Sequence, residues 1–188
     1  YMAGGVSSWI HGMIRSFPKL EFVLLTIISN RSLSWKFTYE LPENVTEVHE
    51  LYLEDVDWNR KGFRGGRLKK EECQAMRSLI LGRHVEWERL YRLFQETGIS
   101  LDKLLRGEDF MNIVREYYDL KYSQLVFSDF LWTMRSVYLP LFFALKMKLP
   151  KADLYHCVAT GYAGVLGSMA KSLYGCRMMI SEHGIYTR

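Results

Sequence analysis

Four stretches of this sequence carry residues able to do chemistry: Gly4-Gly5-Val6-Ser7-Ser8, His156, Thr160-Gly161, and the closing Glu182-His183-Gly184-Ile185-Tyr186-Thr187-Arg188. Glycines let a backbone approach a ligand closely, and a helix start offers free N–H groups to a phosphate. The first stretch could therefore cradle a diphosphate, and a plain turn with Ser7 or Ser8 as helix cap explains it equally. It is neither a Walker loop nor a G-x-G-x-x-G fingerprint. His156 sits in the apolar run LYHCVA, where a hydrogen-bonded core role outweighs catalysis. Thr160-Gly161 follows that run and reads as the cap of the next helix. At the end of the chain, an acid, an imidazole and a guanidinium (Glu182, His183 and Arg188) directly follow an apolar strand. Such groups are costly to bury, so they are either functional or solvated.

To act together, these stretches need a common sheet edge. In an open parallel sheet, ligands bind outside the carboxyl ends of the strands. Trp9, Ile10, Met13 and Ile14 recur on one face of a helix that Pro18 ends. Phe22 to Ile28 is a continuous apolar run, the pattern of a strand buried on both faces. Trp35 to Glu40 and Val48 to Leu53 read as two more strands, with a turn at Pro42-Glu43-Asn44. Glu71 to Phe94 carries one helical stripe. A short helix capped by Ser100 follows, then a stripe at Phe110, Ile113, Val114 and Tyr117. A last helix over about 129–147 is bent or broken by Pro140. With no strand among them, residues of about 70–147 read as a helical insertion. Leu154 to Ala159, a helix over Tyr162 to Tyr174 closed by Gly175, and Arg177 to Ser181 form a strand–helix–strand crossover in a parallel sheet. Ala163, Gly164, Gly167 and Ala170 let that helix lie close on the sheet. The expected fold is α/β, a Rossmann-like parallel sheet with a helical insertion. Gly4, Gly5, Thr160 and His183 would then line one cleft.

Composition narrows the function classes. The 188 residues suit one α/β domain, and a net charge of +4 is too mild to suggest nucleic acid. The basic run from Arg60 to Lys70 reads as a solvated loop, with a cradle for an anionic acceptor or membrane surface as the sharper alternative. Cys73, Cys157 and Cys176 lie far apart without C-x-x-C pairing, which argues against zinc and fits a reducing cytoplasm. The longest apolar run, Val137 to Leu145, is too short to span a bilayer.

Three segments are more specific in combination: GGVSSWIHGMI, DLYHCVATGYAGVLGSMAKSLYG and SEHGIYTR. In this order they resemble the PelF-type glycosyltransferases, which belong to family four of the retaining glycosyltransferases with two Rossmann-like domains (the GT-B fold). The resemblance implies that 1–188 is the amino-terminal, acceptor-side domain. It implies a cytoplasmic enzyme that transfers a sugar, with UDP-glucose the expected donor, to a carbohydrate acceptor in exopolysaccharide synthesis, with retention at the anomeric carbon. Gly4 and Gly5 match the glycine loop that faces the donor diphosphate. His183 matches the histidine that touches the transferred sugar and is the catalytic candidate. The candidate substrate-binding set is Gly4, Gly5, Ser7, Thr160, Glu182 and Arg188. No metal or other cofactor is called for. The family pattern also has a strand before the glycine loop and a carboxy-terminal donor-binding domain with an E-x₇-E motif, so the chain reads as a segment truncated at both ends. Membrane-associated polysaccharide synthesis proteins are the further expected partners. A non-catalytic carbohydrate-binding or scaffolding domain is the alternative. The missing G-x-G-x-x-G argues against a sugar-nucleotide epimerase.

Overall fold

A computed structural model describes residues 5–28, 31–33, 37–53 and 67–184. The fold is mixed α/β, with short parallel strands compatible with a Rossmann-like domain. It divides into two compact units, Tyr1–Val56 and Asp57–Arg188.

In the first unit, helix α1 spans Gly5–Ser16, strand β1 Phe22–Ile28 and strand β2 Val45–Tyr52. The Asn44 side-chain amide donates to the carbonyls of Ile14, Phe17 and Leu20 at 3.1 Å each. It thereby satisfies acceptors that the end of a helix leaves unpaired. β1 and β2 pair in parallel from Phe22↔Val45 to Ile28↔Tyr52. The turn expected at 42–44 closes with Val45 N–H donating to the Pro42 carbonyl at 3.0 Å.

One expected strand is corrected here. The described part of 35–40, Phe37 to Glu40, is irregular and bent. Its polar groups are drawn to α1: Tyr39 stacks on His11 with ring centroids 5.0 Å apart, and the Tyr39 hydroxyl lies 2.7 Å from Ser8 Oγ.

The second unit opens with a stack of helices: α2 (Lys70–Ile80), α3 (Trp87–Tyr91), α4 (Leu101–Arg106), α5 (Glu108–Lys121) and α6 (Phe127–Leu145). The single helix expected over Glu71 to Phe94 is instead broken after α2. Gly82 takes a left-handed φ of 65°, a conformation open to glycine and closed to continued helix. A π-helical turn, Arg92–Glu96, follows α3. From it the Gln95 amide donates to the carbonyls of Leu145 and Met147 at 2.6 and 2.8 Å, sealing the end of α6. Ser100 caps α4 as expected, accepting from the Lys103 N–H at 3.5 Å. α6 runs through Pro140 without breaking. Phe142 is fully buried and packs against Phe94, Phe110 and Tyr138 with centroid distances of 5.1, 6.2 and 5.5 Å.

The unit ends in the crossover: strand β3 (Leu154–Cys157), helix α7 (Tyr162–Tyr174) and strand β4 (Arg177–Ile180). β3 and β4 pair in parallel from Leu154↔Arg177 to Cys157↔Ile180. Gly175 ends α7 with φ 65°. Among the described residues the ladders form two two-stranded sheets, β1–β2 and β3–β4, where a single parallel sheet was expected. The apolar patterns anticipated the parallel pairing of β3 with β4 across α7. Among the described residues, no helix is long and apolar enough to cross a membrane.

Candidate functional site

The carboxyl edge of β3–β4 gathers polar residues around a short ladder. Close packing of α7 makes this geometry possible. Gly167 is buried, and a Cβ there would collide with Cys157 Sγ and lie 3.0 Å from Met178 Cε. Cys157 also donates from Sγ to the Ala163 carbonyl at 3.2 Å. The small residues in ATGYAGVLG thus let the helix start close behind the end of β3.

Beyond the ladder, Ser181 N–H donates to the Cys157 carbonyl at 2.8 Å, carrying the pairing one residue past β4. Glu182 then turns back toward the loop after β3. Its Oε2 accepts from the Thr160 N–H at 3.1 Å and from the Thr160 hydroxyl at 2.8 Å. Those bonds, the hydroxyl's first, hold the Glu182 carboxyl below the usual carboxylate range. The peptide N–H groups of Gly184 and His183 act in the same direction. His183 and Gly184 are exposed beside this contact.

His156 Nε2 lies 2.8 Å from Ser181 Oγ. Burial, and then the neighbouring His183, push the His156 imidazole below its ordinary value. That matches the hydrogen-bonded role expected for a histidine inside β3. Sequence reasoning missed Ser181. Setting the LYHC and RMMI runs side by side in parallel would have brought it next to His156.

Of the expected site residues, Thr160, Glu182 and His183 meet at this edge. Gly5 and Ser7 lie in the first unit, where they belong to the first turns of α1, so the cap expected from Ser7 or Ser8 is not formed by either. The helix begins earlier than its apolar stripe suggested, and Ser8 turns to Tyr39. Gly4 and Arg188 lie outside the described residues, as does the basic run up to Gly66. Among the described residues no cluster of three or more His, Cys, Asp or Glu side chains is arranged to hold a metal ion.

An open hollow of about 430 Å³ lies at the opposite, amino end of β3, lined by Lys151, Ala152, Asp153, Leu173 and Tyr174. The carboxyl edge is the better candidate, because ligands of α/β sheets bind at the carboxyl ends of strands.

Fold and edge together define an α/β domain with a polar loop pair at the end of a parallel crossover. The chain belongs to the family DUF3492, described as a domain of unknown function, which matches residues 1–188. Comparisons with curated proteins and with solved structures return no match.

Proposed function

We propose that this domain is the acceptor-side part of a retaining, nucleotide-sugar-dependent hexosyltransferase of the PelF type, acting in the cytoplasm in exopolysaccharide synthesis. UDP-glucose is the proposed donor, and a carbohydrate hydroxyl the acceptor. Domains of this family occur in glycosyltransferase-like proteins, which supports the reading. The observation that carries it is the Thr160–Glu182 contact, which joins the A-T-G and E-H-G segments at the edge where an α/β sheet binds ligands.

In the proposed reaction the bond from the sugar's anomeric carbon to the diphosphate breaks. A bond to the acceptor oxygen forms on the same face, and the acceptor's proton passes to the departing diphosphate. His183 would hydrogen-bond a hydroxyl of the transferred sugar. It would also follow the charge that grows in an oxocarbenium-like transition state, a role preorganised donors perform well. The proposal includes a carboxy-terminal domain that binds the donor nucleotide, and membrane-associated polysaccharide synthesis proteins as partners. The GT-B arrangement belongs to this same proposal.

The test is to incubate the full-length protein with UDP-glucose and carbohydrate acceptors. UDP release matched by a glycoside of unchanged anomeric configuration, read by NMR, is the expected result. Binding of saccharides with no nucleoside diphosphate released from any sugar nucleotide would replace this reading with a carbohydrate-binding module.

A further inference from the structure

We infer that Glu182 is a positioning residue that holds His183 in place through Thr160, and is not itself a ligand of the substrate. The inference rests on the reading of His183 as the group that touches the transferred sugar.

The geometry is specific. A single carboxylate oxygen, Oε2, takes both the N–H and the hydroxyl of Thr160, at 3.1 and 2.8 Å. The peptide N–H groups of His183 and Gly184 also favour its charged form. An ionised carboxylate has about four acceptor positions. Thr160 supplies two donors, and both converge on Oε2, filling that oxygen's own acceptor positions. A sugar hydroxyl could bond Oε2 only by displacing one of these donors.

The same bonds fasten the loop after β4 to the loop after β3. Glu182 immediately precedes His183, so fastening the Glu182 side chain to Thr160 restricts the direction in which the imidazole leaves the chain. Thr160 stands two residues before α7, so the clamp is seated against a helix that Gly167 packs closely onto Cys157 and Met178. The His156–Ser181 bond at 2.8 Å is a second tie across the strands, immediately before Glu182. Glu182 is itself exposed, and polar pairs in water add little to stability. What the clamp supplies is orientation. A misplacement of about 1 Å in a catalytic constellation can cost roughly 10²-fold in rate.

The test uses the full-length protein with Glu182→Ala, Thr160→Val, Thr160→Ser and His183→Ala. Glu182→Ala is expected to lower kcat by roughly 10- to 100-fold with KM for the sugar nucleotide nearly unchanged. Thr160→Val should lose part of that, and Thr160→Ser should restore it, because the hydroxyl returns. A rise in KM at unchanged kcat in Glu182→Ala would overturn the inference and make Glu182 a direct ligand. Normal turnover in His183→Ala would instead remove the underlying reading of the site. Amide exchange separates the two failures. In Glu182→Ala the amide of Thr160 should exchange faster while those of β3 and β4 do not, and unchanged exchange would show that no clamp exists.

Discussion

The helical stack α2–α6 and the crossover β3–α7–β4 share one compact unit and use their polar groups differently. The stack encloses Met76, Leu90, Leu93, Phe110, Phe142 and Leu145 completely, while Leu120, Trp132 and Val137 stand exposed on its surface. Its polar side chains close helix ends, as Gln95 does for α6, or tie helices together, as Arg77 does with Glu116. The crossover leaves Met179 and Ile180 of β4 nearly half exposed. It spends its polar groups on tying two loops to each other. The stack satisfies its polar groups at element ends around a fully enclosed apolar core. At the carboxyl edge, the hydrogen bonds organise a surface that water, or a ligand, can reach.

Substitutions should separate these two roles, and the largest loss of stability is expected in the stack. Phe142→Ala removes a ring enclosed by Phe94, Phe110 and Tyr138, and should cost about 3–5 kcal/mol in denaturant unfolding. A loss below 1 kcal/mol would mean that the stack is not the stabilising region. Next comes the seam under the crossover. Gly167→Ala forces a methyl into Cys157 and Met178, and overpacking of this kind costs roughly 1–3 kcal/mol. Gly164→Ala is the control. Its Cβ would sit 3.7 Å from the Ala159 carbonyl oxygen, an ordinary contact, so it should be neutral or gain up to about 1 kcal/mol from the lower helix cost of alanine. Equal losses at both glycines would break the argument for a close seam.

A smaller effect depends on pH. Burial holds His156 below its ordinary value of 6.5, so below that pH the folded chain binds fewer protons than the unfolded one. Stability therefore rises with pH in this window. The His156 contribution is fully present above 6.5 and is lost as pH falls through the folded value. Thermal unfolding from pH 7.5 down to pH 5 should show this loss, and His156→Gln should flatten it. An unchanged slope in that variant would assign the loss to another group. Glu182, also held low, acts in the same direction below its ordinary value of 4.5, outside most of that range.

The crossover was legible because its signals are local: apolar runs, a helix of regular period, and glycine at the turn. Tyr162–Tyr174 and Gly175 fall where the sequence put them. The break after α2 was less visible, because the apolar stripe of Glu71 to Phe94 continues across Gly82 and period alone does not reveal a left-handed residue. Phe37 to Glu40 looks like strand until Tyr39 meets Ser8 and His11, partners about thirty positions away. At the candidate site, Thr160, Glu182 and His183 could each be named from the sequence. The bond between Thr160 and Glu182, 22 positions apart, could not, because it depends on the register in which β3 pairs with β4, which apolar runs do not fix. Ser181 was missed for the same reason.

The central claim is that the exposed edge carries the chemistry while the stack carries the stability. His183→Ala in the full-length protein tests it most directly, with unfolding and sugar-nucleotide turnover measured on the same preparation. His183 is exposed, so stability should change by less than about 0.5 kcal/mol. Turnover should fall by roughly 10²–10³-fold, as expected when one preorganised transition-state donor is lost. Turnover at the wild-type rate with unfolding unchanged would contradict the claim, and the function would then have to be sought away from this edge.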